Sequence, residues 1–414
     1  MDDRKLETTN RVASIDVYRG MVMFLMLAEV LHLEKIRKVF DGDTTVGKIA
    51  DWLRFHVTHV EWTGCSLHDM IQPSFTFLVG VSMVFSIAMR ESKGQSRREI
   101  LLHALGRSLT LVFLGIFLRS LGKPSTNFTF DDTLTQIGLG YWIAFLVSSL
   151  STRWLVCVLA VLLSGYWLAF ILYPGPTSDF SYSSVGVPND WPHHWKEGFL
   201  THFNKNSNLA WAFDRWWMNL FPREKPFEFS GGGYATLSFI PTLGTMIIGL
   251  LAGRTLQSDW SWSKKFLLLV AGGVVMMAFA YGLERAGICP IVKRIWTPAW
   301  TIWSGGICFL WLAFLGYLCD QVGWTRWAFP FLVVGANSIV AYVMSWTMEK
   351  WTIDALQRHF GSTIRLCSNQ IASIVGVDPA KGDFVNNLLL GLLTLVVFWI
   401  VLLWLYRRRI FVRI

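Results

Sequence analysis

His59-Val60-Glu61-Trp62-Thr63-Gly64-Cys65-Ser66-Leu67-His68-Asp69-Met70-Ile71-Gln72-Pro73-Ser74-Phe75 leads into a run, Ile71 to Met89, that carries no charged residue. Only Gln72, Pro73 and small hydroxyl residues interrupt its apolar character. A helix of that length rises about 1.5 Å per residue, enough to cross a hydrocarbon layer of roughly 30 Å. A carboxylate such as Asp69 at the mouth of a membrane span is costly unless a partner or a watery recess receives it. The stretch therefore announces both a membrane fold and a place for chemistry.

Working outward, the composition agrees. Of 414 residues 53% are hydrophobic and only 16% charged, with 22 Trp and 30 Phe, and the mean hydropathy is +0.42. Ordinary globular domains carry about 25% charged residues, so the chain is expected to be an all-α, polytopic membrane protein. The net charge of +9 does not argue for nucleic acid, because the basic residues sit in short loops between apolar spans. That is the pattern of loops facing anionic lipid, and the expected partner is membrane lipid. Six Cys are scattered without a CxxC or Cys/His spacing, so no metal centre is expected. Cys289 and Cys367 are the one pair left open for a disulfide.

At roughly 20 apolar residues per span, about ten transmembrane helices are expected. They lie near 16–33, 68–89, 101–121, 133–150, 154–173, 234–253, 265–283, 298–319, 327–347 and 386–406. Both termini then share one side, which collects Arg4, Lys5, Arg11, Arg90, Lys93, Arg97, Arg98, Arg254, Lys264, Lys265, Arg407, Arg408, Arg409 and Arg413. The positive-inside rule makes that side cytoplasmic, with 1–10 as a cytoplasmic tail. Residues 11–414 form a single membrane domain with long non-cytoplasmic loops near 34–67, 174–233 and 348–385. The second loop holds Trp191-Pro192-His193-His194-Trp195 and Phe213-Asp214-Arg215-Trp216-Trp217. Indole faces edged with Asn, Asp and His suit sugar rings, although an interfacial aromatic belt has the same composition.

Several residues can carry chemistry. His59, on the non-cytoplasmic side before the second span, can act as a general base or briefly carry an acyl group. Asp69 can orient it, as a carboxylate does for a catalytic imidazole, or can be a helix-start residue. His32, His56 and His68 compete for the same role. Asp16 and Arg19 stand one helical turn apart, so Arg19 either pairs with Asp16 or meets an anionic ligand such as a phosphate. Arg107, inside the third span, is a candidate by its depth. Asn337 and Ser338, in the ninth span, either join helices or contact a ligand's amides. Lys293 and Trp296 border the eighth span, either at an acceptor site or as interface anchors. His193, His194 and His202 lack the carboxylate or thiolate company of a metal site.

These residues together resemble a known family. Ser14-Ile15-Asp16 through Arg19-Gly20, His59 with Trp62 and Gly64, Asp69 with Pro73 and Phe75, Gly80, Arg107-Ser108, Gly335 with Asn337-Ser338 and Tyr342, and the ending Tyr406-Arg407-Arg408-Arg409-Ile410-Phe411 are similar to the heparan-alpha-glucosaminide N-acetyltransferase family of transmembrane acyltransferases, in a short bacterial-type form. The resemblance implies acetyl transfer from cytoplasmic acetyl-CoA to the amine of a glucosamine-type sugar across the membrane, here the inner membrane of a bacterial cell. It places the family's essential histidine on His59 and its first-span arginine on Arg19. It also implies a possible homodimer. Donor contacts are expected from Arg19, Arg107, Asn337 and Ser338, and acceptor contacts from Trp62, Asp214, Lys293 and Trp296. The family's asparagine late in the first span has no counterpart in Ala28-Glu29-Val30-Leu31-His32, and a family histidine after the ninth-span Asn-Ser pair is Ser345 here. Two other readings share the same residues: O-acylation of envelope glycans, and transport of a sugar or lipid-linked sugar. Inverted repeats would favour transport, and the sequence displays none.

Overall fold

The computed structural model describes residues 12–40, 43–177, 179–375 and 382–412. The expected tail 1–10, with Arg4 and Lys5, lies outside the described residues, as do Arg11 and Arg413. Among the described residues the chain is helical throughout, apart from one isolated antiparallel bridge between Thr63 and Val292. That is the economical answer to a lipid solvent, since a helix satisfies its own backbone polar groups.

Fourteen helices can be traced among the described residues: α1 (Ala13–Leu27), α2 (Thr45–Val57), α3 (Ile71–Ser92), α4 (Arg97–Ser120), α5 (Thr133–Val147), α6 (Thr152–Leu172), α7 (Leu209–Trp217), α8 (Phe239–Gln257), α9 (Trp262–Arg285), α10 (Pro298–Leu315), α11 (Phe329–Ala336), α12 (Ser338–Thr347), α13 (Glu349–Val375) and α14 (Gly382–Arg407). Their starts follow from local side-chain chemistry. Ser96 and Glu99 form a capping box at α4, the Asp132 carboxylate accepts the first free N–H groups of α5, and Thr297 caps α10 ahead of Pro298.

Among the described residues seven helices, with their flanking turns, are long and apolar enough to cross a membrane: α3, α4, α6, α8, α9, α10 and α14. The ninth expected span is the pair α11 and α12, bent by 67° at Asn337. The first and fourth expected spans are shorter helices of 15 residues, α1 and α5. After α1 the chain tightens into a 3-10 turn and is broken by His32, whose φ of 50° is left-handed. The stretch 348–385 is not irregular either. Most of its described part is α13, a 27-residue helix that leaves Trp351, Phe360, Leu366 and Ile374 exposed.

The chain divides into two compact units. The first contains the residues up to Val60, Ser66–Ile71 and the residues from Leu318 onward. In it α1 lies directly on α11 and α12, and this closeness depends on two glycines. A Cβ on Gly20 would meet the backbone of Phe331, and one on Gly335 would meet the backbone of Asp16 and Gly20. Small residues permitting such backbone approach are the usual means of joining helices in lipid. The second unit, Glu61–Cys65 and Gln72–Tyr317, holds α4 against α5, α9 against α10, and α8 beside α5 and α6.

Candidate functional site

His59 and Asp69 both belong to the first unit. The chain leaves α2 at Thr58, extends through His59 and Val60, and returns at Ser66 to the 3-10 turn His68–Met70. That return carries Asp69 back to the extended segment. His59 Nδ1 lies 2.8 Å from Asp69 Oδ1. The second carboxylate oxygen accepts from the Val60 N–H at 3.2 Å, the Ser66 N–H at 3.1 Å and the Ser66 hydroxyl at 2.9 Å. Asp69 has a side chain only 1% exposed, against 38% for His59.

An ionised carboxylate only accepts hydrogen bonds, so Nδ1 must be the protonated nitrogen of a neutral His59. Its lone pair then belongs to Nε2, the atom able to take a proton or an acyl group. The arrangement is that of a histidine fixed in one tautomer by a buried carboxylate, itself fixed by backbone donors.

The competing histidines are engaged in other ways. His32 Nδ1 pairs with Glu34 at 3.2 Å. His56 lies against the rings of Trp52 and Phe55. His68 is different: its ring centroid is 4.4 Å from that of His59, and its Nε2 is 3.3 Å from Glu29 Oε1. Glu29 stands in the 3-10 turn just before the left-handed His32, 39 residues from His68, so their meeting was invisible in the sequence. Ser66 was also missed, although a Ser three residues before an Asp at a helix start is a recognisable local pattern.

The remaining sequence-nominated residues are distributed over both units. In the first, Arg19 Nη1 pairs with Asp16 at 3.1 Å, the one-turn pairing that their spacing allowed. Asn337 is fully buried; its amide N–H donates to the Ile410 carbonyl at 3.0 Å and its oxygen accepts from the Val412 N–H at 2.9 Å. Ser338 begins α12. In the second unit, Arg107 donates to the Tyr141 hydroxyl at 3.3 Å and lies over its ring. Trp62 is fully buried and donates its indole N–H to the Phe203 carbonyl at 3.2 Å, so no indole face is open for a sugar to stack on. Lys293 and Trp296 are also buried, and the Trp296 indole donates to Thr245 Oγ1 at 3.2 Å.

Asp214, on α7 in the long second loop, is buried and accepts from the Thr236 N–H at 2.9 Å. Burial raises its carboxyl to about 7, against the opposing hydrogen bonds from Thr236. An open hollow of about 500 Å³ lies in the same loop region, lined in part by Trp211, Arg215, Trp216, Asn219 and Glu228. Cys289 and Cys367 are free thiols, so the disulfide left open by the sequence is not formed. No group of three His, Cys, Asp or Glu residues placed for a metal ion occurs among the described residues.

Fold and site together define an all-helical, polytopic integral membrane protein that bears a carboxylate-oriented histidine. The chain is a distant relative of the heparan-alpha-glucosaminide N-acetyltransferases. It is 21% identical to the mouse protein of that name over 387 residues and 23% identical to the human one over 395 residues. Each match covers 84% of this chain and 55% of the relative, so the chain spans about half the length of the curated relatives it matches. No family model matches.

Proposed function

We propose that the chain is a membrane acetyltransferase that moves acetyl from cytoplasmic acetyl-CoA to the amine of a glucosamine-type sugar on the periplasmic side of a bacterial inner membrane. The observation that carries this reading is the His59–Asp69 pair at 2.8 Å with Asp69 almost wholly buried. Its support from comparison is the distant relationship to two acetyltransferases acting on a glucosaminide.

In this reading His59 Nε2 takes the proton of the attacking amine as nitrogen bonds to the acetyl carbon and the carbon–sulfur bond breaks. Alternatively Nε2 takes the acetyl first and the amine then displaces it. Asp69 steadies the positive charge that either route places on the imidazole. Asp69, Val60 and Ser66 hold the ring before substrate arrives, so orientation costs nothing at the moment of reaction. Arg19 and Arg107 are the proposed contacts for the donor's phosphates, and both termini are proposed to be cytoplasmic.

The 67° bend between α11 and α12 favours a second reading, because broken membrane helices also build the binding sites of transporters. The deciding experiment is release of free CoA by the detergent-purified protein given acetyl-CoA, with and without glucosamine, beside His59→Ala. Glucosamine-dependent release that the variant loses is the expected result. No release together with no binding of acetyl-CoA would overturn the enzyme reading in favour of transport.

A further inference from the structure

His59 has a second imidazole beside it. The 3-10 turn that returns Asp69 also returns His68, whose ring stands 4.4 Å from that of His59 and tilted by 56°. Each ring has its own carboxylate: His59 Nδ1 on Asp69 at 2.8 Å, and His68 Nε2 on Glu29 at 3.3 Å. The two acids are differently placed. Asp69 is 1% exposed and receives the backbone and hydroxyl donors of Val60 and Ser66 as well. Glu29 is 55% exposed, while the His68 ring is only 12% exposed.

Two imidazoles side by side, each on its own carboxylate, can divide the work of base and acid between them. One ring then serves as a base while the other serves as an acid. Amide formation from a thioester needs both: the attacking nitrogen sheds a proton and the departing sulfur gains one, and both atoms are bonded to the same carbon.

We infer that His68 is a second catalytic residue of this site, the acid that protonates the departing thiolate, with Glu29 as its positioning residue. The inference rests on the acetyl-transfer reading above. The amine nitrogen bonds to the acetyl carbon as the carbon–sulfur bond breaks. The N–H proton passes to His59 Nε2, and a proton from His68 Nδ1, the nitrogen facing away from Glu29, passes to sulfur. Transfer of the His59 proton to His68 then restores the starting charges, with no further reactant consumed.

The test uses the full chain in detergent with glucosamine as acceptor and two donors: acetyl-CoA, and an aryl thioester of acetate whose acidic thiol leaves without being protonated. His68→Ala is expected to lower kcat with acetyl-CoA about 100-fold or more, leaving both KM values near wild type. Added imidazole restores part of that rate, and the loss with the aryl thioester is far smaller. Glu29→Gln, which keeps the side-chain size, gives a smaller kcat loss, and Glu29→Asp recovers part of it. His59→Ala is inactive with both donors. An unchanged kcat in His68→Ala would overturn the inference, and so would a loss that neither imidazole nor the acidic donor reverses. Wild-type protein that forms no amide would remove the acetyltransferase reading itself, and this inference with it.

Discussion

Asp69 and His59 are ten residues apart and meet at 2.8 Å, with the carboxylate buried and the imidazole partly open. The consequence is a fixed tautomer. In Asp69→Asn the amide oxygen replaces one acceptor of the Val60 and Ser66 donors, and its NH2 group faces His59. His59 then turns its lone pair to Nδ1 and carries its proton on Nε2, where the base should be. Loss of kcat by about 10²–10⁴-fold is expected, as for a triad histidine forced into the wrong tautomer, with a melting temperature close to wild type. A variant with normal kcat would separate Asp69 from the chemistry.

Ser66 supplies two of the donors on Asp69 and also reaches the Thr58 carbonyl at 2.6 Å. In Ser66→Ala the backbone N–H remains and the hydroxyl is lost. The expected destabilisation is about 1–2 kcal/mol, read as a lower melting temperature, with a kcat loss of less than about tenfold because Val60 and the Ser66 backbone still hold the carboxylate. A loss as large as that of Asp69→Asn would assign the hydroxyl a direct role.

The sequence made the membrane fold legible because apolar length is a one-dimensional property, and an uncharged run such as Ile71 to Met89 has few other readings. The His59–Asp69 pair was legible for a related reason: both residues flank one short turn before one span. Lateral burial was not legible. Trp62, Lys293 and Trp296 sit in stretches whose composition fits an aqueous rim equally well, yet all three are buried. Nor was the Glu29–His68 contact, since no helical period links residues 39 positions apart. Helix α13 was hidden because its apolar residues are interleaved with charged and polar ones such as Asp354, Arg358 and Arg365, so no window of it resembles a span. Arg19 lay between: the spacing allowed its pairing with Asp16, and the structure forms it.

Asn337 was nominated to contact the donor, and its amide is engaged at both ends by the backbone of Ile410 and Val412. If holding the chain end is its whole task, Asn337→Ala lowers stability by about 1–3 kcal/mol and leaves the KM for acetyl-CoA unchanged. The pair of measurements is a melting curve and a donor titration. A raised KM with an unchanged melting temperature would restore the donor-contact reading.

Asp214 gives the protein a pH-dependent stability whose sign can be worked out. Burial raises its carboxyl from the ordinary 3.8 to about 7, so between those values the folded chain binds a proton that the unfolded chain releases. Stability is then fully present below about pH 4 and falls as pH rises towards 7, because the slope follows the difference in bound protons. The full difference of about three units amounts to roughly 4 kcal/mol at 1.36 kcal/mol per unit. Above pH 7 the protein carries a buried charge whose Oδ1 has no hydrogen-bond partner among the described residues. Asp214→Asn removes that charge and keeps an acceptor for the Thr236 N–H. The variant is therefore expected to melt at a higher temperature than wild type near pH 8 and close to it near pH 4, in thermal unfolding of the detergent-solubilised protein. If the difference between the two proteins does not change with pH, Asp214 is not the group that titrates.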